Sequence, residues 1–242
     1  MDTWRTWELV LPALEREHDV LAPTLPGHAG GPPLEQVSAD AVVDAVERTM
    51  DDAGFALAHL AGNSLGGYVA LRLAERGRAR TVVALAPAGG WADDAYRDVL
   101  AFQAGLLDTA RAIAPHAEAI LASPEGRRRA TSSLTVNYEH LPPELLAHNM
   151  LAVARTGAGA AMIDNALREG WPLDPARITC PVRVVWGTED RLLPWPSAAA
   201  RYRHDWLPHA DWVVLDGVGH APQLDVPLVT AQLILGFTGG AG

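Results

Sequence analysis

A run from Phe55 to Ala61 with the composition of a strand passes directly into Gly62-Asn63-Ser64-Leu65-Gly66-Gly67, and then into a helix carrying Val69, Leu71, Leu73 and Ala74. This strand, turn and helix constrain the chain more than any other feature in it. A G-x-S-x-G pattern arises often by chance, but at such a junction it has a physical meaning. The chain doubles back closely, which calls for small residues two positions to either side of Ser64 and strained backbone angles at the serine itself. A helix starting near Leu65 leaves its first N–H groups free, so the Leu65 N–H can stabilise negative charge on an oxygen in front of Ser64. The plain alternative is an ordinary tight turn with Ser64 as the helix N-cap.

The rest of the chain repeats the alternation. Trp7, Val10, Leu11 and Leu14 have the spacing of an amphipathic helix, and Asp19-Val20-Leu21-Ala22 reads as a short buried strand before the turn-rich run Leu25 to Pro33. A helix begins after Ser38, with Val42, Val43, Val46 and Met50 on one face. Thr81 to Ala86, Pro181 to Trp186 and Trp212 to Leu215 are further strands. Helices are expected near Pro196 to Tyr202 and from Asp225 to Phe237. This pattern predicts an α/β fold: a mostly parallel sheet with helices on both faces and a ligand site outside the carboxyl ends of the strands. Between Trp91 and Trp171 the rhythm lapses into Ala, Leu, Arg and Glu broken at Pro115, Pro124 and Pro142-Pro143, which reads as a helical cap inserted between two strands. The division expected is therefore a core of residues 1–90 and 172–242 and a cap of residues 91–171.

Composition removes several chemistries. Arg supplies all 19 basic charges, and with no Lys in the chain a lysine Schiff base or a P-loop lysine is excluded. The net charge of −10 opposes sequence-independent binding to nucleic acid or to an anionic membrane. The run Arg127-Arg128-Arg129 reads as a solvated helix face. Cys180, the one cysteine, cannot form an internal disulfide and agrees with a reducing compartment. No apolar stretch reaches the ~18–20 residues of a membrane span, and the residues after Met1 lack the pattern of a secretory signal, so a cytoplasmic location is the default.

A serine hydroxyl at neutral pH needs a histidine base oriented by a carboxylate. Gly187-Thr188-Glu189-Asp190-Arg191 places a carboxylate after one strand, and Gly217-Val218-Gly219-His220-Ala221-Pro222 places an imidazole after another. Asp190 is the preferred acid. Glu189 is a lesser contender, and Asp93 or Asp94 a weaker one. His220, between glycines on a loop, is the preferred base. His59 lies within a strand and reads as a satisfied core residue, His28 lies in a turn, and His18, His116, His140, His148, His204 and His209 read as surface or cap residues.

Five segments together resemble the α/β-hydrolase fold family of cap-bearing serine esterases, lactonases and carbon–carbon hydrolases. They are Leu25-Pro26-Gly27-His28, Gly62 to Gly67, Ala86-Pro87-Ala88-Gly89-Gly90-Trp91, Trp186 to Pro194 and Gly219-His220-Ala221-Pro222. The resemblance spans almost the whole chain and implies Ser64 as nucleophile, Asp190 as orienting acid and His220 as general base. Serine rather than aspartate at position 64 argues against the epoxide-hydrolase and haloalkane-dehalogenase branches. The resemblance also implies further strands before Trp7, ending in a His-Gly loop that supplies a second oxyanion donor. Met1 to Trp7 resembles the segment just after that loop, so an N-terminally truncated fold is expected, with Met1 an internal methionine of a longer protein.

The function expected is hydrolysis of a small, largely apolar ester, lactone or related carbonyl compound through an acyl-enzyme, without cofactor or metal. A second expectation, from another class, is a catalytically weak or non-catalytic binding or assembly protein, whose open sheet edges would favour a homodimer. A third keeps the triad for carbon–carbon cleavage, perhydrolysis or a lyase reaction. The partner expected in the first and third cases is a small-molecule substrate, with neither nucleic acid nor membrane.

Overall fold

Val82 and Ala84 point to one side of the sheet and Val83 and Leu85 to the other, and all four are buried. Such two-sided burial marks a central parallel strand and explains why these segments read as continuous apolar runs. The computed structural model describes residues 1–240. It contains β1 (Ala58–Asn63), β2 (Ala79–Leu85), β3 (Val182–Gly187) and β4 (Asp211–Leu215), all parallel, in the spatial order β1-β2-β3-β4. Asn63 pairs with Leu85, Leu85 with Val185 and Gly187 with Leu215. This register brings the carboxyl ends of the strands to one edge, where the loops after them meet.

On one face, Tyr68 and Leu71 of α3 (Leu65–Glu75) pack with Val82, Ala84, Val184 and Trp186. On the other, Val10, Leu14, Ala231 and Ile234 of the terminal segments cover Val83, Leu85 and Val185. The helix α2 (Ala39–Asp52) is capped by Ser38, whose Oγ accepts from Ala41 N at 3.0 Å, and its Val42, Val43, Val46 and Met50 lie against Val69 and Leu73 of α3.

Between β2 and β3 the chain forms α4 (Tyr96–Ile113), α5 (Ala117–Leu121), α6 (Pro124–Thr131), α7 (Pro143–Arg155) and α8 (Gly159–Glu169), with no strand among the described residues. Pro124 and Pro143 open helices rather than interrupt them, since a proline at the first helical position lacks only an N–H that would be unpaired anyway. In the arginine run, Arg128 and Arg129 both pair with Glu125 on the exposed side of α6.

Four expected elements differ. The helix expected near Pro196 to Tyr202 is a 3₁₀ turn at Ser197–Ala199 leading into a π-helical turn at Tyr202–Trp206. The first helix is a 3₁₀ turn at Trp4–Trp7 followed by a separate α1 (Leu11–Leu14), because Pro12 is accepted in a first turn but would clash inside a helix running from Trp7. The last helix is divided into α9 (Pro222–Asp225) and α10 (Pro227–Thr238), with Pro227 starting the second piece. The strand expected at Asp19-Val20-Leu21-Ala22 is absent: these residues pair with no strand, and Asp19 and Leu21 are exposed. A strand is defined by its partners, and β1 has only β2. Ser64 N–H donates to Leu85 O, so the alternation of the ladder turns the amides of Ala61 and His59 to the other edge of β1, where no strand lies among the described residues. No helix among them is long and apolar enough to cross a membrane.

Candidate active site

Ser64 has φ 54° and ψ −118°, a conformation rarely tolerated by a residue with a side chain, and it stands between the end of β1 and the start of α3. Its backbone is held on every side: N–H to Leu85 O at 2.9 Å, and C=O accepting from Tyr68 N at 3.1 Å and Ala88 N at 3.0 Å. The turn is as tight as the sequence suggests, but its demand is one-sided. A Cβ on Gly62 would lie 2.2 Å from Gly66 O, whereas a Cβ on Gly66 would meet nothing within 4 Å. It is therefore the backbone at Gly66, not its lack of a side chain, that makes the close approach. The Leu65 N–H is the first of α3 and has no partner within the helix.

Asp190 follows β3, and its carboxylate is locked at both oxygens. Oδ1 accepts from Leu192 N at 2.9 Å and Leu193 N at 2.7 Å, and Oδ2 lies 2.8 Å from His220 Nδ1. Both side chains are buried. The loop carrying His220 is pressed against the end of β3, where a Cβ on Gly187 would lie 2.1 Å from Val218 O. Glu189, by contrast, is exposed, and its N–H donates to Val218 O. Asp93 and Asp94 are exposed too, Asp93 capping Ala95 N and Asp94 facing Arg97. Of the candidate acids only Asp190 reaches the imidazole.

Ser64 and His220 line one cavity of about 870 Å³, walled mainly by apolar side chains such as Leu100, Leu107, Leu146, Val153 and Ile163 from the helices between β2 and β3. The cavity continues along the open edge of β1 past His59 and Ala61. No hydrogen bond joins Ser64 Oγ to His220 among the described residues. The link is made instead by Asn63, whose Nδ2 donates to His220 O at 2.9 Å and to Leu85 O at 3.1 Å. Gln223, fully buried, donates in turn to Asn63 Oδ1 at 3.0 Å.

Asn63 and Gln223 escaped the sequence reading, as did Asp225, which holds the histidine loop through Gly219 N at 2.6 Å. The signal available was a polar residue at the end of the strand that leads into the Ser64 turn and two more between Pro222 and Pro227. The other histidines lie apart from this pair: His59 bonds Thr81 Oγ1, His148 bonds Thr3 Oγ1, and His140 bonds Leu224 O. His28 is buried beside Pro26 O, and burial, with the positive Met1 amino group second, pushes its pKa down to about 4. Among the described residues no cluster of His, Cys, Asp and Glu is arranged to hold a metal ion.

Residues 1–233 match the Alpha/beta hydrolase family. The chain belongs to that family. A curated relative within reach is the epoxide hydrolase EphH of Mycobacterium tuberculosis, 33% identical over 207 residues, covering 83% of this chain and 95% of the relative. Another is the pimeloyl-[acyl-carrier protein] methyl ester esterase of Aromatoleum aromaticum, 30% identical over 248 residues, covering 95% and 91%. Among solved structures, the 2-hydroxy-6-oxo-6-phenylhexa-2,4-dienoate hydrolase of Rhodococcus sp. strain RHA1 superposes with a TM-score of 0.73 at 23% identity, over 98% of this chain and 86% of that one. This α/β-hydrolase is thus similar to enzymes that bear three different reaction names. One of them is the epoxide hydrolysis that the serine at position 64 argued against.

Proposed function

We propose that this α/β-hydrolase is a serine hydrolase acting on a small, largely apolar ester, lactone or related carbonyl compound. The observation that carries the proposal is the buried Asp190–His220 pair, 2.8 Å apart, beneath the same cavity onto which the strained turn presents Ser64. With Nδ1–H donated to Asp190, the imidazole keeps Nε2 unprotonated and available to take the Ser64 proton. Ser64 Oγ then adds to the substrate carbonyl, and the Leu65 N–H stabilises the oxyanion, an interaction typically worth ~10²–10³ in kcat. His220 returns the proton to the departing alcohol, leaving an acyl-Ser64, and activates the water that releases the acid. The helices of residues 91–171, acting as a cap, would select the substrate through the apolar wall they give the cavity.

The similarity to EphH favours a second reading, opening of an epoxide in the same cavity. A serine in place of a carboxylate nucleophile weighs against it, since the covalent ester of that mechanism has no carboxylate at position 64 to form on. With a meta-cleavage product hydrolase and a dienoate hydrolase among the structural neighbours, carbon–carbon cleavage stays open as a variant of the first proposal, because addition of an activated oxygen to a carbonyl can begin both reactions.

A fluorophosphonate probe tests the proposal directly. An adduct on Ser64 that disappears in Ser64→Ala, together with turnover of p-nitrophenyl esters, supports it. Turnover of styrene oxide with no esterase activity and no serine adduct would replace it by the second reading.

A further inference from the structure

Asp225, the last residue of α9, is 2% exposed and carries a carboxylate to which only N–H groups are directed. Oδ2 accepts from Gly219 N at 2.6 Å and from Val136 N at 3.0 Å. Oδ1 accepts from Asn137 N at 2.6 Å, from Asn137 Nδ2 at 3.0 Å and, at 3.2 Å, from the same Val136 N. No Arg or His forms an ion pair with it among the described residues. The donors come from two separate parts of the chain. Gly219 immediately precedes His220, while Val136 and Asn137 belong to the connection between α6 and α7, in the helical region that walls the cavity.

The contact around this carboxylate is close on all sides. Ala221 N donates to Leu134 O at 2.9 Å, so the residue after His220 is also tied to the helical region. A Cβ on Gly219 would lie 2.7 Å from Leu134 O and 3.0 Å from the Cα of Thr135. Ala221 and Leu224 are packed with Leu121, Leu145 and Leu146 of α5 and α7. On one side of His220 the Ala221 N–H is bonded directly to Leu134 O, and on the other Gly219 reaches Val136 and Asn137 through the carboxylate of Asp225.

We propose that Asp225 is a positioning residue: by gripping Gly219 with one oxygen and Asn137 with the other, it couples the placement of His220 to the helical region over the cavity. The proposal rests on the reading of His220 as the general base. The geometry explains why an isosteric amide cannot replace the carboxylate. Each oxygen faces two backbone N–H groups, Gly219 and Val136 at Oδ2, Asn137 and Val136 at Oδ1, so whichever end of an Asn carries the NH₂ group would turn hydrogens toward backbone hydrogens that cannot turn away. The loop would then have to move, and His220 with it. Displacement of a reacting group by about 1 Å is enough to cost on the order of 10²-fold in rate.

The experiment compares wild type, Asp225→Asn and Asn137→Ala by p-nitrophenyl acetate kinetics and by the downfield proton resonance of His220 Nδ1–H, assigned by its loss in His220→Gln. Asp225→Asn is expected to lower kcat by roughly 10²-fold with KM changed far less, and to broaden or shift the resonance while the circular dichroism spectrum is retained. Asn137→Ala, which removes one donor from an exposed residue, is expected to move both readouts in the same direction by less. If Asp225→Asn does not fold, Asn137→Ala decides. Wild-type kcat and an unmoved resonance in a folded variant overturn the proposal. If wild type turns over no ester, the functional reading has failed; the resonance, which does not depend on turnover, then tests the clamp by itself.

Discussion

His220 Nδ1 lies 2.8 Å from Asp190 Oδ2, with both side chains shut away from solvent and the second carboxylate oxygen already engaged by Leu192 N and Leu193 N. The carboxylate therefore cannot swing away from the imidazole without breaking two backbone hydrogen bonds. An orientation fixed in this way selects one tautomer, with Nε2 left as the acceptor.

Asp190→Asn should consequently be far more damaging than its size suggests. The amide nitrogen would face either Nδ1 or the two backbone donors, and esterase kcat is expected to fall by about 10⁴ with the fold intact. Glu189→Gln, at an exposed position that does not reach the imidazole, should stay within a few-fold of wild type. Steady-state kinetics on one ester decides between them, and the reverse order would move the acid to Glu189.

Gly62 and Gly66 should respond oppositely to alanine. Gly62→Ala forces a methyl group to within 2.2 Å of Gly66 O at the most constrained turn of the protein, and loss of folding or of all Ser64 labelling is expected. Gly66→Ala projects its methyl into open space and should fold. Thermal melts of the two proteins, with fluorophosphonate labelling of whichever folds, check this. Equal tolerance at both positions would show that the turn is looser than described.

His28 should make the protein sensitive to mild acid. Its pKa falls from 6.5 to about 4 on folding, chiefly through burial, so the unfolded chain binds a proton that the folded one refuses between those values. Stability is full above pH 6.5 and declines as the pH drops toward 4, by up to roughly 3 kcal/mol from this residue. His28→Asn keeps an N–H for Pro26 O but cannot charge. Urea midpoints measured from pH 7 to pH 4.5 should fall more steeply for wild type than for the variant, and parallel curves would remove His28 as the cause.

Amide exchange should read out the open edge of β1. Leu60 and Gly62 share the alternation of Ser64 N and turn toward β2, whereas His59 and Ala61 turn away from it. Ala61 is exposed as well. The amides of His59 and Ala61 are expected to exchange much faster than those of Leu60 and Gly62 in hydrogen-exchange NMR. Equal protection of all four would mean that something covers this edge in solution.

Much of this architecture was legible in the amino-acid sequence because it rests on local rules. The runs Thr81 to Ala86 and Pro181 to Trp186 announce buried parallel strands by being apolar on both alternating faces, and Ser38 announces a helix by capping it. The strand, Gly62 to Gly66 and the helix announce the turn at Ser64, since few other sequences accept that backbone. The place of Asp190 and His220 after successive strands follows from the order of the strands along the chain. Segments whose form depends on a neighbour were read wrongly or not at all. Asp19 to Ala22 has the composition of a strand and no partner to make it one, and Pro12 divides a helix that the apolar spacing alone would allow. The sequence already prefers Asp190 over Glu189, but only the tertiary structure puts the Asp190 carboxylate 2.8 Å from His220 Nδ1. Asn63 and Asp225 stand out in the sequence only as polar residues among apolar ones, with no sign of their partners, because what they do is hold together residues 157 positions apart in one case and 88 in the other. Periodicity and propensity report on what lies within a turn or two of a residue. A buried hydrogen bond between distant segments is decided only when the packing of the whole chain brings donor and acceptor together and shuts out the water that would otherwise satisfy them.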